Sequence, residues 1–357
     1  MATGTPARIP SLDGLRAISI SAVLLGHMSG TRNFPVSLNQ LVHNPAVDVA
    51  NLGVRVFFVI SGFLITGLLI KEEHASGTIS LKRFYIRRTL RIFPAYFAFL
   101  AVVALLDARH VIAVPGSDFV HALTYTMNYA PDRTWYVGHL WSLAVEEQFY
   151  LLWPFVFLIT GTRHAWRVAL AVVCLVPFIR LTESMMWPET RELIGTSFET
   201  TADALAVGCL LALSREWLFA RAWYRTAMTS RWIAPAMLVA GLALSVRYRP
   251  AILLGQTIVN VAIAIGIDRC VRLPGGAFGR LLNLRAMVFA GTLSYSLYLW
   301  QQCFLNRSST ATLAAFPLNI LGAIAAALLC YYLVEKPALR LRAREARPLA
   351  TLRSNAE

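Results

Sequence analysis

The 357-residue chain consists of long apolar runs separated by short polar clusters, with nearly uncharged stretches at 17–30, 56–70, 233–246, 251–267 and 313–334. A hydrocarbon core takes about 20 apolar residues to cross as a helix, and a helix satisfies its own backbone polar groups in lipid. The pattern predicts an all-α, polytopic transmembrane helix bundle. Ten spans are expected, at about 12–30, 50–70, 91–107, 139–160, 166–187, 200–214, 232–247, 251–268, 287–306 and 312–334. The segment 118–131 is too short and too polar to cross, and reads as a re-entrant or interfacial piece on the outer side.

Composition sharpens this picture. Hydrophobic residues make up 57% and charged residues only 15% of the chain, which excludes disorder and disfavours a soluble enzyme. The net charge of +14 would suggest nucleic acid in a soluble protein, but a cytoplasmic membrane face explains it better. With both ends inside, 24 of the 33 Lys and Arg residues fall in inner segments and eight in outer ones, the bias of the positive-inside rule. Both termini are therefore expected in the cytoplasm, with a membrane domain over 1–338 and a basic, solvated tail over 339–357. The first apolar run carries Arg16 and His27 and leads to no small-residue cleavage pattern, so it reads as a membrane helix rather than a signal peptide. Five cysteines lie singly in or beside apolar runs without metal-ligand spacing, and no bound metal is expected.

Ionisable groups inside apolar spans cost about 2.5–3.5 kcal/mol on insertion scales, so each calls for a partner or a purpose. Arg16 and His27 are eleven positions apart. At 100° per residue they lie within about 20° of one another on one helix face, separated by about 16 Å along the axis. A snorkelling arginine or a hydrogen-bonded core histidine would explain either alone. Counting inward from the outer side, however, brings Arg55, Glu146, Glu147 and Asp203 to about the depth of His27. Such a layer predicts a polar chamber for acid–base chemistry by the imidazole, oriented by a carboxylate. Glu147, about 100° round the helix from Glu146, is expected to face elsewhere. Trp141 and its aromatic neighbours suit sugar stacking, although an interfacial aromatic belt explains most of them.

Seven segments in order along the chain give this chemistry a family resemblance. They are Ser11-Leu-Asp-Gly-Leu-Arg-Ala with Arg16 and His27, Gly53-Val-Arg-Val-Phe-Phe-Val-Ile-Ser-Gly-Phe-Leu-Ile, and Arg87-Arg-Thr-Leu-Arg-Ile-Phe-Pro-Ala-Tyr. They continue with His139-Leu-Trp-Ser-Leu-Ala-Val-Glu-Glu-Gln-Phe-Tyr-Leu-Leu-Trp-Pro, Ala202-Asp-Ala-Leu-Ala-Val-Gly, Ser294-Tyr-Ser-Leu-Tyr-Leu-Trp and Val334-Glu-Lys-Pro. The chain resembles the acyltransferase-3 family of integral membrane acyltransferases. The resemblance implies an O-acyltransferase of a bacterial cytoplasmic membrane that moves an acyl group, often acetyl, from cytoplasmic acyl-coenzyme A to a carbohydrate hydroxyl. It implies His27 as the base, Arg16 as its motif partner, Glu146 as part of the Trp-Ser-Leu helix signature, and Arg88 and Arg91 as the basic cytoplasmic motif. Acyl-coenzyme A is then a substrate, and no permanently bound cofactor is expected. Two positions depart from the pattern: Gln301 stands where relatives often carry His, and Arg55 where many carry an acidic residue. A transporter or flippase using the buried charges as a proton relay is the competing class. The absence of visible inverted repeats speaks against it.

Overall fold

The computed structural model describes residues 9–42 and 48–345; Arg8 and the tail residues 346–357 lie outside them. No strand occurs among the described residues. The first helix, α1 (Pro10–Met28), starts on a proline, whose fixed φ and missing N–H suit a helix's first turn. α2 (Val49–Ser76) is capped by Asp48, which accepts from Asn51 N at 2.9 Å, and ends at Gly77 in the left-handed region. α3 (Leu81–Ala108) has Ser80 at its start. α4 (Leu140–Met186) is broken at Gly161, where φ is 59°, so its two arms correspond to the two expected crossings at 139–160 and 166–187. Glu73 of α2 accepts from Thr162 N at 3.0 Å and so occupies a backbone donor freed by the break. The remaining long helices are α5 (Phe198–Phe219), α6 (Ala222–Thr229), α7 (Ile233–Leu244), α8 (Gln256–Arg272), α9 (Arg285–Trp300), α10 (Leu318–Cys330) and α11 (Lys336–Glu345).

Five helical stretches are long and apolar enough to cross a membrane: Val49–Ser76, Leu81–Ala108, Trp135–Met186, Tyr248–Arg272 and Leu318–Leu341. The pair α6 and α7, bent by 81°, makes a sixth if it counts as one span. α1 and α5, which hydropathy also sends across, fall short of that measure because polar residues interrupt them, and α9 because its regular helix is only 16 residues long. The 118–131 segment forms the eight-residue helix Gly116–Leu123 and a single turn, Met127–Tyr129. At 1.5 Å per residue that helix covers only about 12 Å, too little to cross.

Two contacts fix the frame around α2. A Cβ on Gly62 would fall 2.0 Å from the Leu205 carbonyl oxygen, and one on Gly208 would fall 2.2 Å from that of Val59. α2 and α5 thus touch main chain to main chain, and Gly62 serves helix packing. On the other side of α5, Asp203 pairs with Arg180 of α4, both fully buried. Thr257 donates to the other Asp203 oxygen at 2.7 Å. Counting charges by segment assigns Arg180 to the outside, but the structure places it within α4, neutralised in the interior.

Candidate active site

Two cavities lie side by side along α1. The first, about 730 Å³ of space partly open to solvent, is lined by Arg16, Arg88, Arg91, Glu146, Glu147 and Tyr150, among others. Arg88 stacks on the Tyr150 ring, its guanidinium carbon 4.0 Å from the centroid. Glu146 accepts from Ser61 Oγ at 2.5 Å, and Tyr150 donates to Ser61 Oγ at 3.1 Å. Arg16 reaches Asp13 at 3.4 Å. Among the described residues, Arg88 Nε and Glu147 Oε1 are buried without a hydrogen-bond partner, which leaves a donor and an acceptor in a cavity wall. Three arginines beside two carboxylates form a cradle for a molecule with anionic and amide groups.

The second cavity, about 750 Å³ and also partly open, is lined by His27, Asp48, Asn51, Arg133, Trp135 and Trp141, with His139 and Gln302 behind them. His27 Nδ1 lies 2.8 Å from Gln301 Oε1, and its ring meets the edge of Trp135 at 5.5 Å between centroids. An amide oxygen can only accept, so this contact places the ring proton on Nδ1 and leaves the Nε2 lone pair free. Arg307 lies over the Trp135 ring, 5.3 Å from its centroid. Burial lowers the Arg133 guanidinium from its ordinary value, which is the mark of a cation stripped of water. Polar groups, two tryptophans and a histidine with a free nitrogen suit a hydroxylated ring and its deprotonation.

The residues singled out from the sequence divide between these cavities and a third place. Arg16, Arg88, Arg91, Glu146 and Glu147 share the first cavity; His27 and Trp141 share the second. The expected single layer around His27 is not what the fold builds. Glu146 faces the arginines, and the histidine's partner is Gln301. Glu147 lines the same cavity as Glu146 despite the angle between them, because the cavity wraps around that part of α4. Asp203 belongs to the Arg180 pair. Arg55 donates to Asn51 at 3.0 Å and Asn260 at 3.4 Å, beside a small crevice. On α1, the turns between Arg16 and His27 bear Ile20, Val23 and Leu24, all buried, so the face joining the two polar residues is apolar.

Sequence reasoning missed Ser61, Tyr150 and Arg180 as partners of the charged groups, and the pairing of Ser142 with Tyr298. It noted Gln301 only as a departure from a pattern. Polarity at the end of an apolar helix is the one signal that could have marked Gln301, which is fully buried.

A long arginine cradle beside a histidine chamber, in a helical bundle with membrane-length helices, fits an acyl-transferring membrane protein. The chain belongs to the acyltransferase-3 family: the family's model, described as an acyltransferase domain, matches residues 9–335. A Bacillus subtilis (strain 168) protein, YrhL, named provisionally as a peptidoglycan O-acetyltransferase, is 29% identical over 92% of this chain and 54% of its own length. The Staphylococcus aureus (strain NCTC 8325) O-acetyltransferase OatA is 28% identical over 83% of this chain and 50% of its own. The chain thus spans about half the length of these relatives. No solved structure matches it.

Proposed function

We propose that the protein is a membrane O-acyltransferase of a bacterial cytoplasmic membrane, moving an acetyl group from cytoplasmic acetyl-coenzyme A to a carbohydrate hydroxyl. One observation carries it: Arg16 and His27, on one face of α1, stand in two adjoining cavities, a cationic one and a sugar-compatible one. Ten crossings with both termini cytoplasmic, and a membrane domain over 1–338 followed by a basic tail, complete the proposal. The Lys and Arg distribution supports that orientation.

Arg16, Arg88 and Arg91 hold the coenzyme A phosphates on the cytoplasmic side. Glu147 Oε1 accepts an N–H of the pantetheine arm, which carries the thioester toward His27. The separation of Arg16 and His27, about 16 Å along the helix axis, is comparable to the reach of that arm. The acceptor enters the second cavity against Trp135 and Trp141. Its hydroxyl oxygen attacks the thioester carbonyl carbon while His27 Nε2 takes the hydroxyl proton. The C–O bond forms, the C–S bond breaks, and His27 returns the proton to the departing thiolate, leaving an ester and free coenzyme A. The name of one relative mentions peptidoglycan, a carbohydrate polymer with suitable hydroxyls.

Purified protein in liposomes, given acetyl-coenzyme A and a peptidoglycan disaccharide or another oligosaccharide, is expected to release coenzyme A and an O-acetylated sugar. Binding of coenzyme A without acyl transfer to any of a panel of saccharides would overturn the assignment.

A further inference from the structure

Val54 of α2 and Tyr298 of α9 line both cavities. Each is almost fully buried, at 6% exposure, so together they are the wall through which the two spaces adjoin. Tyr298 is held rigidly there. Its hydroxyl lies 2.5 Å from Ser142 Oγ and donates to the His139 carbonyl oxygen at 2.9 Å. The His139 ring, 5.4 Å from that of Tyr298, packs with its two nitrogens 2.9 Å from Gln302 Oε1 and 3.1 Å from the Leu299 carbonyl oxygen, one of which accepts its single N–H. This network ties the first turn of α4 to the end of α9.

We propose that Val54 and Tyr298 form a partition that sets the largest acyl group the enzyme can pass, restricting the donor to short-chain acyl thioesters. The inference rests on the acyltransferase reading above and adds its donor selectivity. The acyl group is the leading end of the donor, so it must clear the partition before the thioester comes within reach of His27. Beyond the partition it meets Asp48, Asn51, Arg133 and Gln302, and the Trp135 and Trp141 rings there are the ones assigned to the acceptor, so a long hydrocarbon tail finds little left to pack on. On the near side the wall includes Phe57, Phe58, Ile92 and Leu143, where a tail could fold back only if the Tyr298 ring or the Val54 side chain gave way. The reaction is unchanged by chain length: one C–S bond breaks and one C–O bond forms. Only passage differs.

The test compares acetyl- and hexanoyl-coenzyme A with one saccharide acceptor. In Val54→Ala and Tyr298→Ala, the hexanoyl-to-acetyl ratio of kcat/KM is expected to rise tenfold or more. In Val54→Phe, which narrows the passage, acetyl transfer should fall tenfold or more while the Kd for coenzyme A, from calorimetry, stays at the wild-type value. Val54→Ala is conservative enough to stand in if loss of the Tyr298 network prevents folding. Ala variants that fold, bind coenzyme A and keep the wild-type ratio overturn the partition, as does a Val54→Phe protein with wild-type transfer. A wild type that binds coenzyme A yet transfers neither group to any saccharide would refute the function itself, a result distinct from an unchanged ratio in an active enzyme.

Discussion

His27 and Gln301, 274 positions apart in the chain, meet through a 2.8 Å contact between Nδ1 and the amide oxygen. The glutamine carries no charge, so it orients the ring and fixes the tautomer without the electrostatic support that a carboxylate would add. Gln301→Ala is expected to lower kcat about tenfold with little change in KM for acetyl-coenzyme A, because the ring loses its orientation while the donor cradle is untouched. Gln301→His, which can also accept from Nδ1–H, should recover part of that loss. Steady-state kinetics of the three proteins settle it: equal kcat values would show that the amide does not position the imidazole.

Removal of the proposed base itself should be far more costly. His27→Ala is expected to lower acyl transfer about a hundredfold or more, with coenzyme A affinity preserved since the arginines line the other cavity. A folded His27→Ala protein with near-normal turnover would eliminate the general-base role.

Affinity should follow the arginines. If Arg16 holds a coenzyme A phosphate as proposed, Arg16→Ala removes a charge-assisted contact and should raise the Kd for coenzyme A about tenfold or more. Arg16→Lys should recover only part, for lack of the planar fork. Calorimetric titration in detergent gives the comparison, and identical dissociation constants would mean that Arg16 only reaches toward lipid headgroups.

The Arg180 and Asp203 pair predicts a stability effect separate from catalysis. Asp203→Ala strands a cation in the interior and should destabilise the fold by about 3–5 kcal/mol. Combining it with Arg180→Met removes the stranded charge and should restore much of the loss. Thermal unfolding in detergent measures both, and a double variant no more stable than the single one would contradict the account.

Orientation is open to chemical labelling. In a chain whose five native cysteines are replaced, a cysteine at exposed Ser117 should react with a membrane-impermeant maleimide on intact cells, and one at exposed Ser76 only after permeabilisation. The reverse pattern would invert the proposed topology.

Much of this arrangement is legible in the sequence, because some of its rules are local. Helix periodicity alone puts Arg16 and His27 on one face, and the apolar runs locate a helix for each expected crossing. What periodicity does not carry is the rotation of one helix against its neighbours. Glu146 turns toward Arg88 rather than His27 because α4 packs where α2 presents Ser61 to it, a relation between residues 85 positions apart. The same holds for Arg180, whose partner lies on the next helix. Depth counted along separate helices ranks residues by height and leaves their facing directions undetermined.

The close approach of Gly62 to Leu205 and of Gly208 to Val59 bears on how such a protein can diversify. With α2 seated on α5 through main-chain atoms, the heights of Val54 and Ser61 along α2 do not depend on which side chains surround them. Val54 on α2 and Trp141 on α4 can then be exchanged by mutation without shifting the scaffold that bears Ser61 and its neighbours. On the proposed function, new acceptors and new acyl groups would become reachable through single substitutions in the lining, whereas any side chain larger than hydrogen at position 62 or 208 would push the two helices apart and misalign both cavities.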